Sequence, residues 1–143
     1  MSQFQSALPV IAKATGVFFG LIVAVESLGA FTSPRSAAKY FFGLPHDQTP
    51  DSPAWAPDKP PKNVWIPIVG ALALGWASSV LALAYDGQFR SMGIVLLCGV
   101  LIGLADTVVI WRNGVRRMAI SHIVGTSLLA ATGGYLALTS EAA

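Results

Sequence analysis

The chain has 143 residues and a net charge of +2, with 11% charged residues against 54% hydrophobic ones, where soluble proteins carry about 25% charged residues. Its single cysteine, Cys98, excludes an intrachain disulfide and a multi-cysteine metal site, and the few, scattered basic residues exclude the footprint of a nucleic-acid binder. With a mean hydropathy of +0.63, the composition is that of one membrane domain.

The first apolar stretch covers residues 9–31. The residues before it carry no positive charge, the first basic residue being Lys13. The run carries Glu26 and lasts a full membrane thickness, so it reads as a retained span rather than a cleaved signal peptide. The segment 32–63 follows and holds seven of the nine prolines. Its first part predicts a short helix lying at the headgroup level, with Ser33 as N-cap, Pro34 at the first position and Gly43 as stop. Arg35 and Lys39 fall on one side of it, and Tyr40, Phe41 and Phe42 add aromatic bulk. Residues 48–62 are too proline-rich for helix or sheet and read either as a solvated linker or as a cap over the bundle mouth; His46 there reads as a solvated turn residue.

Three further apolar stretches cover residues 64–84, 90–111 and 117–138. None alternates as a barrel strand would, so all four predict helices and the fold is an all-α four-helix transmembrane bundle. Tight turns around Asp86-Gly87 and Asn113-Gly114 make the last three spans antiparallel neighbours. Small residues mark packing faces: Gly16 and Gly20 in the first span, Ala71, Gly75 and Ser79 in the second, Gly99 and Gly103 in the third. In the fourth, His122, Gly125, Thr126, Leu129 and Gly133 share one face. Cys98 falls in mid-span and reads as a small apolar filler, and Ser78 and Ser79 read as helix-packing hydroxyls.

Orientation follows from lysine and arginine. The first loop carries Arg35, Lys39, Lys59 and Lys62, and the third adds Arg112, Arg116 and Arg117; the other side has Lys13 and Arg90. Loops 32–63 and 112–116 are therefore expected in the cytoplasm and both termini opposite. Trp55, Trp65 and Trp111 lie on the basic side, the last two fitting an interfacial belt.

Three ionisable residues interrupt the apolar runs. Glu26 and Asp106 each lie five residues before the end of their span, and His122 five residues after the start of its own, so all three sit about 7–8 Å inside the basic boundary. A charge-capable group in hydrocarbon needs a partner, a wet cavity or a task. Asp106 and His122, on antiparallel neighbours, are expected to oppose each other with Glu26 facing them. Hydrocarbon favours the proton-bearing form of a carboxyl, which suits Glu26 to act as an acid, while a carboxylate beside an imidazole fixes its tautomer or charge. The bland alternative is that Asp106 and His122 hold two spans in register while Glu26 snorkels or caps backbone. The three could also ligate a divalent metal, but the spacing matches no standard motif, and neither metal nor cofactor is assigned. Arg112, Arg116 and Arg117 are topology determinants in the plain reading; with Trp111, Arg112 and Arg116 are also candidates to bind an acidic lipid headgroup or the anionic end of a substrate.

Ser33 to Ala38 leading to Gly43-Leu44-Pro45, then Asp106 to Gly114, then His122-Ile123-Val124-Gly125 together resemble the DUF4267 family of small four-span membrane proteins. The likeness runs over residues 9–138. It implies an integral membrane protein, and similar fungal proteins are encoded near natural-product pathways; it implies no established reaction. Members often carry an arginine–acid pair early in the second span. Residues 70–75 hold none here, so any role of that pair is lost or taken over by Glu26.

Two functions are weighed. One is a small membrane enzyme that closes rings, opens epoxides or isomerises double bonds in a lipophilic substrate, with Glu26 and Asp106 as acid and base and His122 as orienter or proton relay. The other is a noncatalytic scaffold or accessory subunit that packs through its glycine faces against a larger membrane complex or a second copy. Transport is disfavoured, because the polar residues occupy only one half of the bilayer.

Overall fold

A computed structural model describes residues 3–33, 37, 65–112 and 115–140. The fold is all-α. Among the described residues four long helices follow in order: α1 Gln3–Thr32, α2 Trp65–Tyr85, α3 Phe89–Arg112 and α4 Arg116–Thr139. Three of them contain stretches long and apolar enough to cross a membrane, Ala7–Thr32, Ile66–Tyr85 and Phe89–Arg112. The fourth, with two arginines at its start and His122, Ser121, Ser127 and several Thr and Gly along its length, is less apolar.

Helix α1 begins six residues ahead of the expected start and runs through Pro9. Proline removes one backbone hydrogen bond near the helix start, where one turn is already short of acceptors. Pro67, in the first turn of α2, removes an N–H that has no intrahelical acceptor. The proposed headgroup helix, the proline-rich segment, His46, Trp55 and the Asn113-Gly114 pair lie outside the described residues. Ala37 is the exception: it is buried, helical and donates its N–H to the Ser33 carbonyl at 3.0 Å.

The turn between α2 and α3 is closed in the manner its sequence dictates. Gly87 has a φ of 75°, a conformation costly for any residue with a Cβ. The Gln88 N–H donates to the Leu83 carbonyl at 2.9 Å and the Gly87 N–H to the Ala84 carbonyl at 3.2 Å, the pair of bonds that ends a helix on a left-handed glycine. The Gln88 amide also donates to the Asp86 carboxylate at 2.6 Å. Between α3 and α4 the Val115 N–H reaches back to the Ile110 carbonyl at 3.3 Å.

The helices pack as two close antiparallel pairs, α1 with α2 and α3 with α4, the second pair the tighter; contact between the pairs is more limited. In α3/α4 the backbones nearly touch. A Cβ added at Gly93 would meet the Ala137 nitrogen at 2.6 Å and the Gly133 oxygen at 2.8 Å. In α1/α2, Gly20 packs on Val80 and Leu81, and Gly70 lies against Ala30 and the Ser27 carbonyl. The two pairs are joined mainly in the half nearest the termini. There Ala12, Val80, Met92, Leu96, Leu129 and Leu136 form one buried cluster drawn from all four helices, and Gly16 seats against Met92 and Leu96. The Trp76 indole reaches across from α2, donates to the Val95 carbonyl at 2.9 Å and lies flat over Gly99. In hydrocarbon such a bond has no water to replace it.

Two expected packing faces are corrected. Ala71, Gly75 and Ser79 face outward, and a Cβ at Gly75 would meet nothing within 4 Å; α2 buries Ile66, Gly70, Ala77 and Val80 instead. Gly125 likewise meets nothing, while its neighbours Thr126, Leu129 and Gly133 are buried. Cys98 is exposed and fills no interior space. Three of the hydroxyls along these helices donate to their own helix: Ser27 to the Val23 carbonyl, Ser79 to Gly75 and Thr107 to Gly103.

Candidate functional site

The α3/α4 register fixes the first two site residues. Gly93 lies against Gly133 and Ala137, Gly99 against Leu129, and Gly103 against the Thr126 hydroxyl. Continued one turn, this register brings Asp106 of α3 opposite His122 of α4, and one turn later Ile110 opposite Ala119, both fully buried. Asp106 and His122 are each half-buried. No hydrogen bond joins them: Asp106 and His122 occupy a layer between two closely packed ones without being locked to each other.

Glu26 stands on α1 at the same height. Gly16 of α1 meets Met92 and Leu96 of α3, and since α1 and α3 run parallel, ten residues further along α1 corresponds to the turn around Asp106. Glu26, Asp106 and His122 each lie six residues in from their helix ends at Thr32, Arg112 and Arg116, about 9 Å by helical rise. Glu26 shares the α1 stripe of Phe19, seven residues before it, which packs against the four-helix cluster. Glu26 itself is exposed. Among the described residues no three His, Cys, Asp or Glu side chains come together closely enough to hold a metal ion.

Every fully enclosed side-chain nitrogen or oxygen among the described residues has a hydrogen-bond partner. The Asp106 carboxylate and the His122 imidazole make no hydrogen bond within the described residues, and both residues are half-buried.

Above this layer the boundary is basic and aromatic. Trp111 and Arg112 end α3, and Arg116 and Arg117 begin α4. All four are exposed, and the Arg116 guanidinium stacks over the Trp111 ring with its carbon 5.8 Å from the centroid. Arg112 suits the negative end of α3, whereas Arg116 and Arg117 oppose the positive end of α4. No side chain caps α4 at Val115. At the opposite end Lys13 lies over the Phe89 ring at 4.1 Å, so a cation on an aromatic edge marks that boundary too.

Sequence reasoning missed Trp76, whose indole bond ties the pairs together. A tryptophan in mid-span, far from either interface belt, is the signal that would have found it.

The family described as Domain of unknown function (DUF4267) matches residues 20–136, and the chain belongs to it. No curated protein and no solved structure matches the chain.

Proposed function

We propose that this DUF4267 member is a small integral membrane enzyme acting on a lipophilic substrate by acid–base chemistry, of the ring-closing, epoxide-opening or isomerising type. In this reading all four helices cross, with loops 32–63 and 112–116 cytoplasmic and both termini opposite. What supports α4 crossing is its antiparallel packing along α3, a helix long and apolar enough to cross a membrane.

One observation carries the enzymatic reading. The α3/α4 register sets Asp106 opposite His122, both half-buried, without a hydrogen bond between them. A pair kept only for register would close on itself, since hydrocarbon offers no other partner. Asp106 would take the proton, His122 would orient it or relay the proton, and Glu26 would return one. Isomerisation and ring closure then leave the substrate mass unchanged, and epoxide hydrolysis adds one water.

The test is product formation. Purified protein in lipid vesicles is incubated with a lipid-soluble extract, and mass spectrometry follows compounds consumed with the appearance of an isomer or a hydrate. Conversion that disappears in Asp106→Asn and His122→Gln supports the reading. Identical profiles for wild type and both folded variants overturn it.

The outward small-residue face of α2 favours a second reading. Ala71, Gly75 and Ser79 lie open on one stripe, as the contact face of an accessory subunit would. Single-copy behaviour in detergent and in vesicles, with no co-purifying membrane protein, would count against it.

A further inference from the structure

We propose that the substrate is an amphiphile resident in the bilayer, with an anionic head held at the arginine rim and its reacting group about six to eight bonds below that head. The inference rests on the acid–base reading of Asp106 and His122 and adds what the ligand looks like. Three arginines, Arg112, Arg116 and Arg117, gather where α3 and α4 meet the boundary, and all are exposed. Arg116 is held in place by Trp111. The rim and the reactive layer belong to the same two helices, whose tight register makes the interval between them rigid.

That interval acts as a ruler. Asp106 lies six residues from Arg112 and His122 six from Arg116, about 9 Å by helical rise, while an extended chain advances about 1.2 Å per bond. A head on the rim therefore brings the seventh bond or so level with the carboxylate and imidazole. Arg116 and Arg117 also sit against the dipole of α4, an unfavourable placement that an anion sharing the rim would relieve. Between this level and the rim, residues 107–111 of α3 and 118–121 of α4 hold no further carboxylate, imidazole, lysine or arginine, so reaction at one depth follows from where the head is anchored.

The experiment uses full-length protein in phosphatidylcholine vesicles and three photoactivatable probes. One is an alkyl sulfonate with a diazirine about seven bonds from the head, the second carries the diazirine near the chain end, and the third is the neutral alcohol of the first. The expected result is labelling of the peptides containing Asp106 and His122 by the first probe, and about tenfold less by the other two. Arg112→Gln with Arg116→Gln should lower the first labelling about thirtyfold, at roughly 1 kcal/mol for each of the two rim cations, while Arg90→Gln, at the opposite end, should leave it unchanged. Circular dichroism establishes that the variants are folded. Labelling indifferent to head charge or diazirine depth, or no labelling at these peptides, overturns the proposal. Depth-selective labelling without any conversion of extract would sink the catalytic reading and leave the binding site standing; conversion with labelling blind to head charge would do the reverse.

Discussion

Replacing Asp106 by Asn keeps the size of the side chain and removes its ability to hold a negative charge. Because Asp106 is half-buried and makes no hydrogen bond to His122, neither Asp106→Asn nor His122→Gln breaks a packed network. Each should cost about 0.6–1.7 kcal/mol of stability at most, the range for polar contacts between membrane helices. Each should also lower turnover about 100- to 10,000-fold, as loss of a positioned acid or base does. Unfolding by detergent titration and product formation, measured on the same preparations, check both halves; a large stability loss in both variants would mark the pair as structural. Trp76 predicts the opposite pattern. Trp76→Phe removes a bond to the Val95 carbonyl and should destabilise by about 1 kcal/mol with little effect on the reactive layer. At this scale the sequence revealed height and concealed direction. Counting along the helix places Glu26, Asp106 and His122 at one level, since rise per residue is fixed. The direction in which Glu26 points depends on where the two helix pairs part, which no spacing in the chain records.

Among the helices, the small residues that touch backbone differ from those that touch nothing. A Cβ at Gly93 would strike backbone atoms of α4, which cannot turn aside, whereas one at Gly75 or Gly125 meets open space. Gly93→Ala should therefore push α3 and α4 apart and cost about 1–3 kcal/mol. Gly75→Ala and Gly125→Ala should be neutral or stabilising by up to about 1 kcal/mol, as glycine is the weaker helix former. Detergent unfolding of the three variants side by side checks the contrast, and comparable losses at all three positions would mean that the outward faces of α2 and α4 are themselves buried against a partner. The four helices were legible because long apolar runs need no tertiary information. The faces were only half legible. Gly16, Gly20, Gly99 and Gly103 do pack, but Ala71, Gly75 and Ser79 have the same spacing and look outward. A small residue permits close approach without stating whether a neighbour is there.

Among the described residues, two helix pairs share a buried cluster in the half nearest the termini, and the ionisable residues lie in the other half. The buried four-helix cluster and the Trp76 strut hold the half nearest the termini. The other half carries Asp106, His122, Glu26 and the arginine rim, so in the proposed reading the ligand site and the core occupy different halves of the bundle. This arrangement has meaning only if α4 crosses, because otherwise Arg116 and Thr139 lie on one side of the membrane and the α3/α4 layer leaves the hydrocarbon. Cys98 is exposed to the outside of the bundle, so Cys98→Ala gives a background free of thiols and neutral in stability to within about 0.5 kcal/mol. Single cysteines at Arg116, Arg90 and Thr139 then report sidedness through a membrane-impermeant maleimide applied to intact cells. The expected pattern is protection of Arg116→Cys, as for Lys59→Cys, with labelling of Arg90→Cys and Thr139→Cys, in keeping with the excess of basic residues on the cytoplasmic face. Equal labelling at Arg116 and Thr139 would leave three crossings, strand the imidazole outside the bilayer and end the case for intramembrane chemistry.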